Sequence, residues 1–430
     1  MSLRRNALLI VLLTGLLAIL GEWNPILSRA WCLPAAVLLI GLAYERMAMA
    51  RWTVRLQFVA PERWPLGRPM EMRYVLVQDA RPSISLELLL SAPDEFSAEP
   101  RVETLRLTRA MPSDAVLAAA PRRLGTYTWP SPSVRIGGPF GLAWWSRRIQ
   151  AMCHITVVPD VIDRFEKAGG THSAGGERAR SAGAGAEILQ LRDYRHGDPL
   201  RNIDWKASAR RGRLISRDLS EDQHLEVIIA IDAGRASGLG AGAIDRLGLS
   251  VNIAARLAQR AVALDDAVGV LVFASRPLAA LAPARGDAAV IRIRELLGAC
   301  SVQPTESNPV LAAVRIRAMV HRRSLVVILT DIEDASASEQ LVEAVKLLAP
   351  KHFAFIAGFE SARIDALARA AVGEPLGAYR ALAAVEYQNT LAASVRALRS
   401  LGAAALTARP EHLDRAVLEA YEAIRARRRI

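Results

Sequence analysis

Two uncharged apolar runs near the N-terminus, ALLIVLLTGLLAILG (7–21) and AWCLPAAVLLIGLAY (30–44), constrain this chain more than any other feature. A helix made of such residues has no polar face to turn to water, so it is covered by protein or by lipid. As quoted, each run falls short of the ~20 residues that cross a hydrocarbon core ~30 Å thick. Trp23, Pro25, Ile26 and Leu27 extend them, and the connection EWNPILSR is short. The pattern predicts a membrane hairpin over residues 1–50, with spans at about 7–23 and 28–45. Arg4 and Arg5 precede the first span, Arg46, Arg51 and Arg55 follow the second, and only Arg29 lies between. Lys and Arg are retained on the cytoplasmic side, so both ends are expected in the cytoplasm, on a bacterial inner membrane. A cleaved signal peptide is the rival reading, and the second apolar run counts against it.

From Trp52 the texture changes. WTVRLQFVA, MEMRYVLVQ (70–78), ISLELLLS (84–91) and RVETLRLTRA (101–110) alternate apolar and polar residues, with Pro, Gly, Asp and Ser between them. LGTYTWP, SVRIGG, LAWWSRR and CHITVVP continue the series to Pro159. Short alternating runs at regular spacing predict an all-β, sandwich-like domain over 52–160. Its Trp and Tyr residues are read as core before they are read as a ligand groove.

Residues 161–190 include GGTHSAGGERARSAGAGA, which is followed by no G-K-[S/T] and holds no G-x-G-x-x-G. A phosphate cradle needs those features, so this stretch is read as a Gly-rich linker. After Leu225 the pattern becomes strand, helix, strand, helix: LEVIIAID, DAVGVLVFA, SLVVILTD and HFAFIAGF are nearly continuous apolar runs separated by helical periodicity. Such strands are buried on both faces, which predicts a doubly wound α/β domain over 223–430 with its crevice at the carboxyl ends of the strands. Asp232 and Asp331 end two of these runs.

Between linker and α/β domain lies residues 191–222, opening LRDYRHGDPLRNIDWKASARRGR. It sets seven Arg or Lys around Asp193, Asp198 and Asp204, with Tyr194 and Trp205 among them. Asn202 or Asp204 is placed to cap a short helix, and Gly197-Asp198-Pro199 reads as a turn. The three acids are expected to pair with Arg192, Arg195 and Arg201, and Trp205 to pack inward or against another domain. General acid–base work is disfavoured because no nucleophile stands nearby and His196 sits in a turn among arginines. Nucleic-acid binding is disfavoured because the acids interrupt the basic face and only two aromatics are present to stack. Two readings stay open: Arg forks recognising an acidic protein surface or a bound anion, or a purely architectural lock.

Composition adds little. The chain is 52% apolar with a formal net charge of +12, and only Lys167, Lys206, Lys346 and Lys351 of its cations are lysines, which fits an Arg- and Ala-favouring coding bias. Cys32, Cys153 and Cys300 are widely spaced and form neither a disulfide framework nor a zinc pattern.

Two resemblances follow from these residues. Asp232 in DAGRAS and Asp331 in LTDIED resemble the metal-ion-dependent adhesion site of von Willebrand factor A domains, with Thr305 or Ser307 in QPTESNP at the third position. That resemblance implies a Mg²⁺ site, here degenerate because Gly234 and Ala236 stand where the pattern has serines. The segment GAEILQLRDYRHGDPLRNIDWKASARRGRLISRDL is similar to the signature of the bacterial domain of unknown function 58 family. The matched positions are Gly185, Glu187, Arg192, Tyr194, Gly197, Asp198, Arg201, Ile203, Asp204, Trp205, Ser208, Ala209 and Arg210. RIGGPFGL also matches, although the family usually has Asp at Gly138. The resemblance implies a membrane-anchored partner of MoxR-type AAA+ ATPases, an adaptor rather than an enzyme, acting in protein assembly, maturation or envelope stress. No cofactor beyond possible Mg²⁺ is implied. The rivals are a metal-dependent enzyme or metal-handling factor using Asp232 and Asp331, and an envelope-biogenesis component independent of an ATPase.

Overall fold

The computed structural model describes residues 2–23, 29–78, 83–109, 111–161, 182–183, 187–196, 198–220, 224–332, 335–369 and 375–427. Most of the linker expected at 161–190, the centre of the connection 22–29, and Gly185 and Gly197 lie outside them. The chain divides into two compact units. Unit 1 comprises Met1–Asp160, Gly238–Asn252 and Arg294–Ser301; unit 2 comprises Val161–Ser237, Ile253–Ile293 and Val302–Ile430.

Unit 1 opens with two apolar helices, α1 (Arg5–Trp23) and α2 (Cys32–Arg51), packed on each other. Leu12, Leu16, Ile19, Leu33, Leu39 and Ile40 are all exposed. Among the described residues, α2 alone is long and apolar enough to cross a membrane; the apolar stretch of α1 is the shorter Arg5–Leu20. Arg5 and Glu22 bound α1 with charge, so its length does not by itself make a second span.

Three sheets follow. One runs Ser2–Leu3, Ala143–Arg148, Ser133–Gly137, Ile84–Leu90, Arg101–Leu107; a second runs Val54–Val59, Met70–Gln78, Ser113–Pro121, Phe96–Ser97. Both are antiparallel, and their inward residues share one core. Alternation makes this possible: Met72, Tyr74 and Leu76 face the same interior as Leu86, Leu88 and Leu90, while the intervening side chains point out. The third sheet is Arg63–Pro65, His154–Val158, Gly125–Thr128. The aromatics are core: Trp64, Tyr74 and Trp129 are fully buried. The Trp129 indole donates to the Tyr74 hydroxyl at 2.7 Å, which donates to the Ser91 carbonyl at 3.0 Å. Burial pushes the Tyr74 hydroxyl up to about 12.

The strand Ser113–Pro121 has no counterpart among the expected elements. Its AVLAAA centre has one β-branched residue, Val116, and no aromatic, too weak a strand signal to read, yet Ser113–Ala119 pairs with Met70–Leu76.

Unit 2 is built on a six-stranded sheet in the order Pro277–Ala284, Ala267–Phe273, Glu226–Asp232, Leu325–Leu329, Phe353–Phe359, Ala404–Ala408. All pairs are parallel except the first, an antiparallel edge. Central strands buried on both faces need near-continuous apolar sequence, and these have it: every residue of Ala267–Phe273 and Leu325–Leu329 is buried. Glu226–Asp232 has Ala267–Phe273, the next strand of this sheet in chain order, on one side and Leu325–Leu329 on the other. The order therefore reverses at its edge, and the carboxyl ends of these two strands flank a topological switch point. A second, three-stranded sheet joins Ala182–Gly183, Ile215–Ser220 and Glu187–Asp193. Residues 187–190, expected as linker, are thus strand.

Candidate functional site

The dense stretch at 191–213 is the connection of a β-hairpin. Glu187–Asp193 and Ile215–Ser220 pair antiparallel, with Arg192 opposite Ser216 and Asp193 opposite Ile215. Between them run a turn, a 3₁₀ turn at Leu200–Asn202 and a helix at Trp205–Arg211.

Each acid has a local task. Asp198 receives the Arg192 guanidinium through two bonds of 2.7 and 2.9 Å and accepts the Arg195 N–H at 2.9 Å. The Arg192 bond, then the Arg195 N–H, hold its carboxyl at about 2. Asp204 caps the helix: Oδ1 accepts the Ala207 N–H at 2.9 Å, and Oδ2 accepts Arg217 Nε at 3.0 Å. Those two bonds, the backbone one first, lower its pKa as well. Asp193 pairs with Arg213 at 2.9 Å, both largely exposed. Ser208 is buried; its hydroxyl donates to the Asp204 carbonyl at 2.7 Å and accepts the Ile215 N–H at 2.8 Å. Tyr194 donates its N–H to the Leu214 carbonyl at 3.0 Å, closing the base of the loop. Gly212 ends the helix at φ 65°, a left-handed turn that glycine makes without strain.

Two expectations are corrected. Asp193 and Asp204 pair with Arg213 and Arg217, because the hairpin brings its second strand alongside the first. Trp205 does not pack inward: as the first helical residue, with the cap turned to the strand, its side chain is 65% exposed. Leu200 is 70% exposed, and Leu214 is exposed as well. Arg195, Arg201, Lys206, Arg210 and Arg211 are all exposed, and among the described residues none has its side-chain cation in an ion pair; Arg195 meets Asp198 through its backbone N–H. The acids are consumed within the loop, while the cations and three apolar side chains face solvent.

The second cluster lies at the switch point. Asp232 ends its strand and is 7% exposed. Oδ1 accepts the Gly234 N–H at 2.8 Å and the Ser307 hydroxyl; Oδ2 accepts the Thr330 hydroxyl at 2.7 Å. A Cβ on Gly234 would lie 2.1 Å from Ser307 Oγ, so Ser307 fills the space that a side chain at 234 would take. Thr305 is exposed and contributes its carbonyl, which accepts the Arg235 N–H at 2.9 Å. Asp331 is half-buried, two residues beyond the Leu325–Leu329 strand. The donors are all oxygen, the type a hard cation takes. The set nevertheless fits such a cation poorly: both oxygens of Asp232 already accept hydrogen bonds, and position 234 supplies no hydroxyl. Among the described residues, no group of three or more His, Cys, Asp or Glu is placed to hold a metal. The motif spacing singled out Asp232; Thr330 and Arg217 carry no motif and appear only once strands are paired.

Residues 190–356 match the family described as Protein of unknown function DUF58. No curated protein matches the chain. Among solved structures, the conserved hypothetical protein BatB from Bacteroides thetaiotaomicron is similar at 19% identity over 31% of this chain and 66% of that one, with a TM-score of 0.26. The CARDB domain of a Pyrococcus furiosus protein is 10% identical over 25% of this chain and 93% of its own, with a TM-score of 0.18. A protein of unknown function from Porphyromonas gingivalis W83 is 16% identical over 33% of this chain and 56% of its own, with a TM-score of 0.19. The family match spans the hairpin connection, the Asp232 cluster and the central strands, and it supports the DUF58 family for this chain.

Proposed function

We propose that the chain is a membrane-anchored adaptor or scaffold that works with a MoxR-type AAA+ ATPase in protein assembly, maturation or envelope stress. The observation that carries this reading is the polarity of the hairpin connection: Asp193, Asp198 and Asp204 are turned to partners within the hairpin, while Arg201, Arg210, Leu200 and Trp205 are turned outward. Trp and Arg are the residue types that most often dominate protein interfaces, and a fixed acidic skeleton orders them before a partner arrives. The anchor is two spans, at about 7–23 and 28–45, with both ends cytoplasmic by their Arg placement. The sheet of unit 2 is read as a von Willebrand factor A-like domain, on the strength of Asp232 at the switch point.

A second reading, a metal-dependent enzyme or metal-handling factor, rests on Asp232 and Asp331 at the carboxyl ends of the two strands that flank the switch point. Mg²⁺ titration by calorimetry separates the two: the adaptor reading expects no saturable heat, and tight binding abolished by Asp232→Ala favours the second. The adaptor reading is tested by capturing the ATPase on the full-length protein in the presence of ATP. Recovery that fails with Arg201→Ala supports it, and no recovery with the unaltered chain sinks it.

A further inference from the structure

The loop 138–143 joins the strands Ser133–Gly137 and Ala143–Arg148, and the Gly138 and Gly141 N–H groups close it on the Ala143 and Gly138 carbonyls, each at 3.0 Å. The N–H groups of Phe140, Leu142 and Ala143 face Glu45 of α2. Glu45 Oε1 accepts the Phe140 and Leu142 N–H groups at 3.1 and 3.0 Å, and Oε2 accepts the Ala143 N–H at 3.1 Å and the Trp145 indole N–H at 3.3 Å. Two of the loop's carbonyls go to the start of the chain: Arg4 N–H donates to Leu142 at 2.8 Å and the Asn6 side-chain amide to Phe140 at 3.3 Å. Glu45 is 0% exposed and makes no ion pair among the described residues. A carboxylate taken out of water is tolerated when its oxygens are filled by N–H donors, and four supply that here. The loop is shaped around the occupant: a Cβ on Gly138 would lie 2.0 Å from the carboxyl carbon of Glu45.

We infer that the 138–145 segment is a carboxylate-binding nest, filled in cis by Glu45, that fastens the apolar helix pair to the β-rich core of unit 1. Concave sets of backbone N–H groups bind anions of this size, and here the Phe140, Leu142 and Ala143 N–H groups form one, with the Trp145 indole beside them. Here the anion comes from the chain, so the site acts as an internal latch, and a small free carboxylate is the ligand it takes when Glu45 is gone. The inference does not depend on what docks at the hairpin connection.

The experiment is amide hydrogen exchange on the full-length protein in nanodiscs, read at Phe140, Leu142 and Ala143. Glu45→Ala is expected to speed exchange at these amides by about ten-fold or more, the loss of one to two net hydrogen bonds. Propionate is expected to restore protection saturably, and propionamide, its uncharged counterpart, is not. Gly138→Asp is expected to disrupt the loop while Glu45 is present and to restore protection in the Glu45→Ala chain, because its carboxylate reaches the vacated space. Unchanged exchange in Glu45→Ala overturns the inference. So does a Glu45→Ala chain that neither propionate nor Gly138→Asp repairs, including one that fails to fold and is not recovered by the second substitution.

Discussion

The hairpin connection and the Asp232 cluster are both built around aspartates that the chain itself satisfies, and they differ in what is left over. At Asp232 the N–H and hydroxyl donors converge inward, and the exposed Arg235–Glu306 ion pair beside it joins opposite charges. At the hairpin the acids are equally occupied, but five cations and the side chains of Leu200, Trp205 and Leu214 remain at the surface. The acidic residues of both sites are therefore scaffold. Of the two, the hairpin is the one that leaves exposed cations and apolar side chains over, so under the proposed docking role substitutions in the two regions should separate stability from binding.

The largest expected effect is at Asp232. Asp232→Ala leaves the Ser307 and Thr330 hydroxyls and the Gly234 N–H without their acceptor, which should destabilise unit 2 by about 3 kcal/mol, measured by denaturant unfolding. An unchanged midpoint would remove the cluster from the scaffold. Next comes Gly234→Ser, which restores the serine of the adhesion pattern. Its side chain would overlap Ser307 Oγ, so a loss of about 1–3 kcal/mol is expected, relieved when Ser307→Gly is combined with it. Additive losses in the double variant would show that the two residues do not compete for one space. In the hairpin, Ser208→Ala strands the Ile215 N–H and should cost about 1–2 kcal/mol, seen as faster exchange of that amide.

Acid titration sharpens the same contrast. The Asp198 carboxyl is held at about 2, against an ordinary 3.8. Its folded pKa is depressed, so its contribution is complete above the ordinary value and is lost as pH falls toward 2. Hairpin amide protection should therefore be flat from pH 7 to 5 and decline below pH 4, and Asp198→Asn should reduce that decline, leaving the part due to Asp204, whose carboxyl is lowered as well. A decline centred near pH 6 would point to another group. The smallest effect on stability is expected from Trp205→Ala, which uncovers nothing buried and should fall within about 0.5 kcal/mol of the parent.

Much of this was legible before any strand was paired. Alternation located the strand at Met70–Gln78 residue for residue, and unbroken apolar runs located those at Glu226–Asp232 and Phe353–Phe359 within a residue. Those signals are local, since burial of one or both faces writes itself into the residues that are buried. The hairpin was not legible. Its arms, EILQLRD and ISRDLS, carry too many charges to read as strands, and their pairing depends on contacts across the twenty-one residues between Asp193 and Ile215. Nothing in the sequence therefore points to Arg217 as the partner of Asp204, and the apolar ring of Trp205 suggests packing, inward or against another domain, where the helix start instead leaves it exposed. Of the two candidates for the third position, Ser307 is the one whose hydroxyl reaches Asp232, and its Oγ occupies the space beside Gly234.

The central claim is that the hairpin connection is a docking surface on a self-sufficient scaffold. The affinity of the full-length protein in nanodiscs for the ATP-bound MoxR-type ATPase, compared between the parent and an Arg201→Ala/Trp205→Ala chain, tests it most directly when the unfolding midpoint of each is recorded alongside. The account predicts at least about a ten-fold loss of affinity, some 1.4 kcal/mol or more, with the midpoint unchanged. Equal affinity of the two chains, or a loss that appears only together with unfolding, would contradict it.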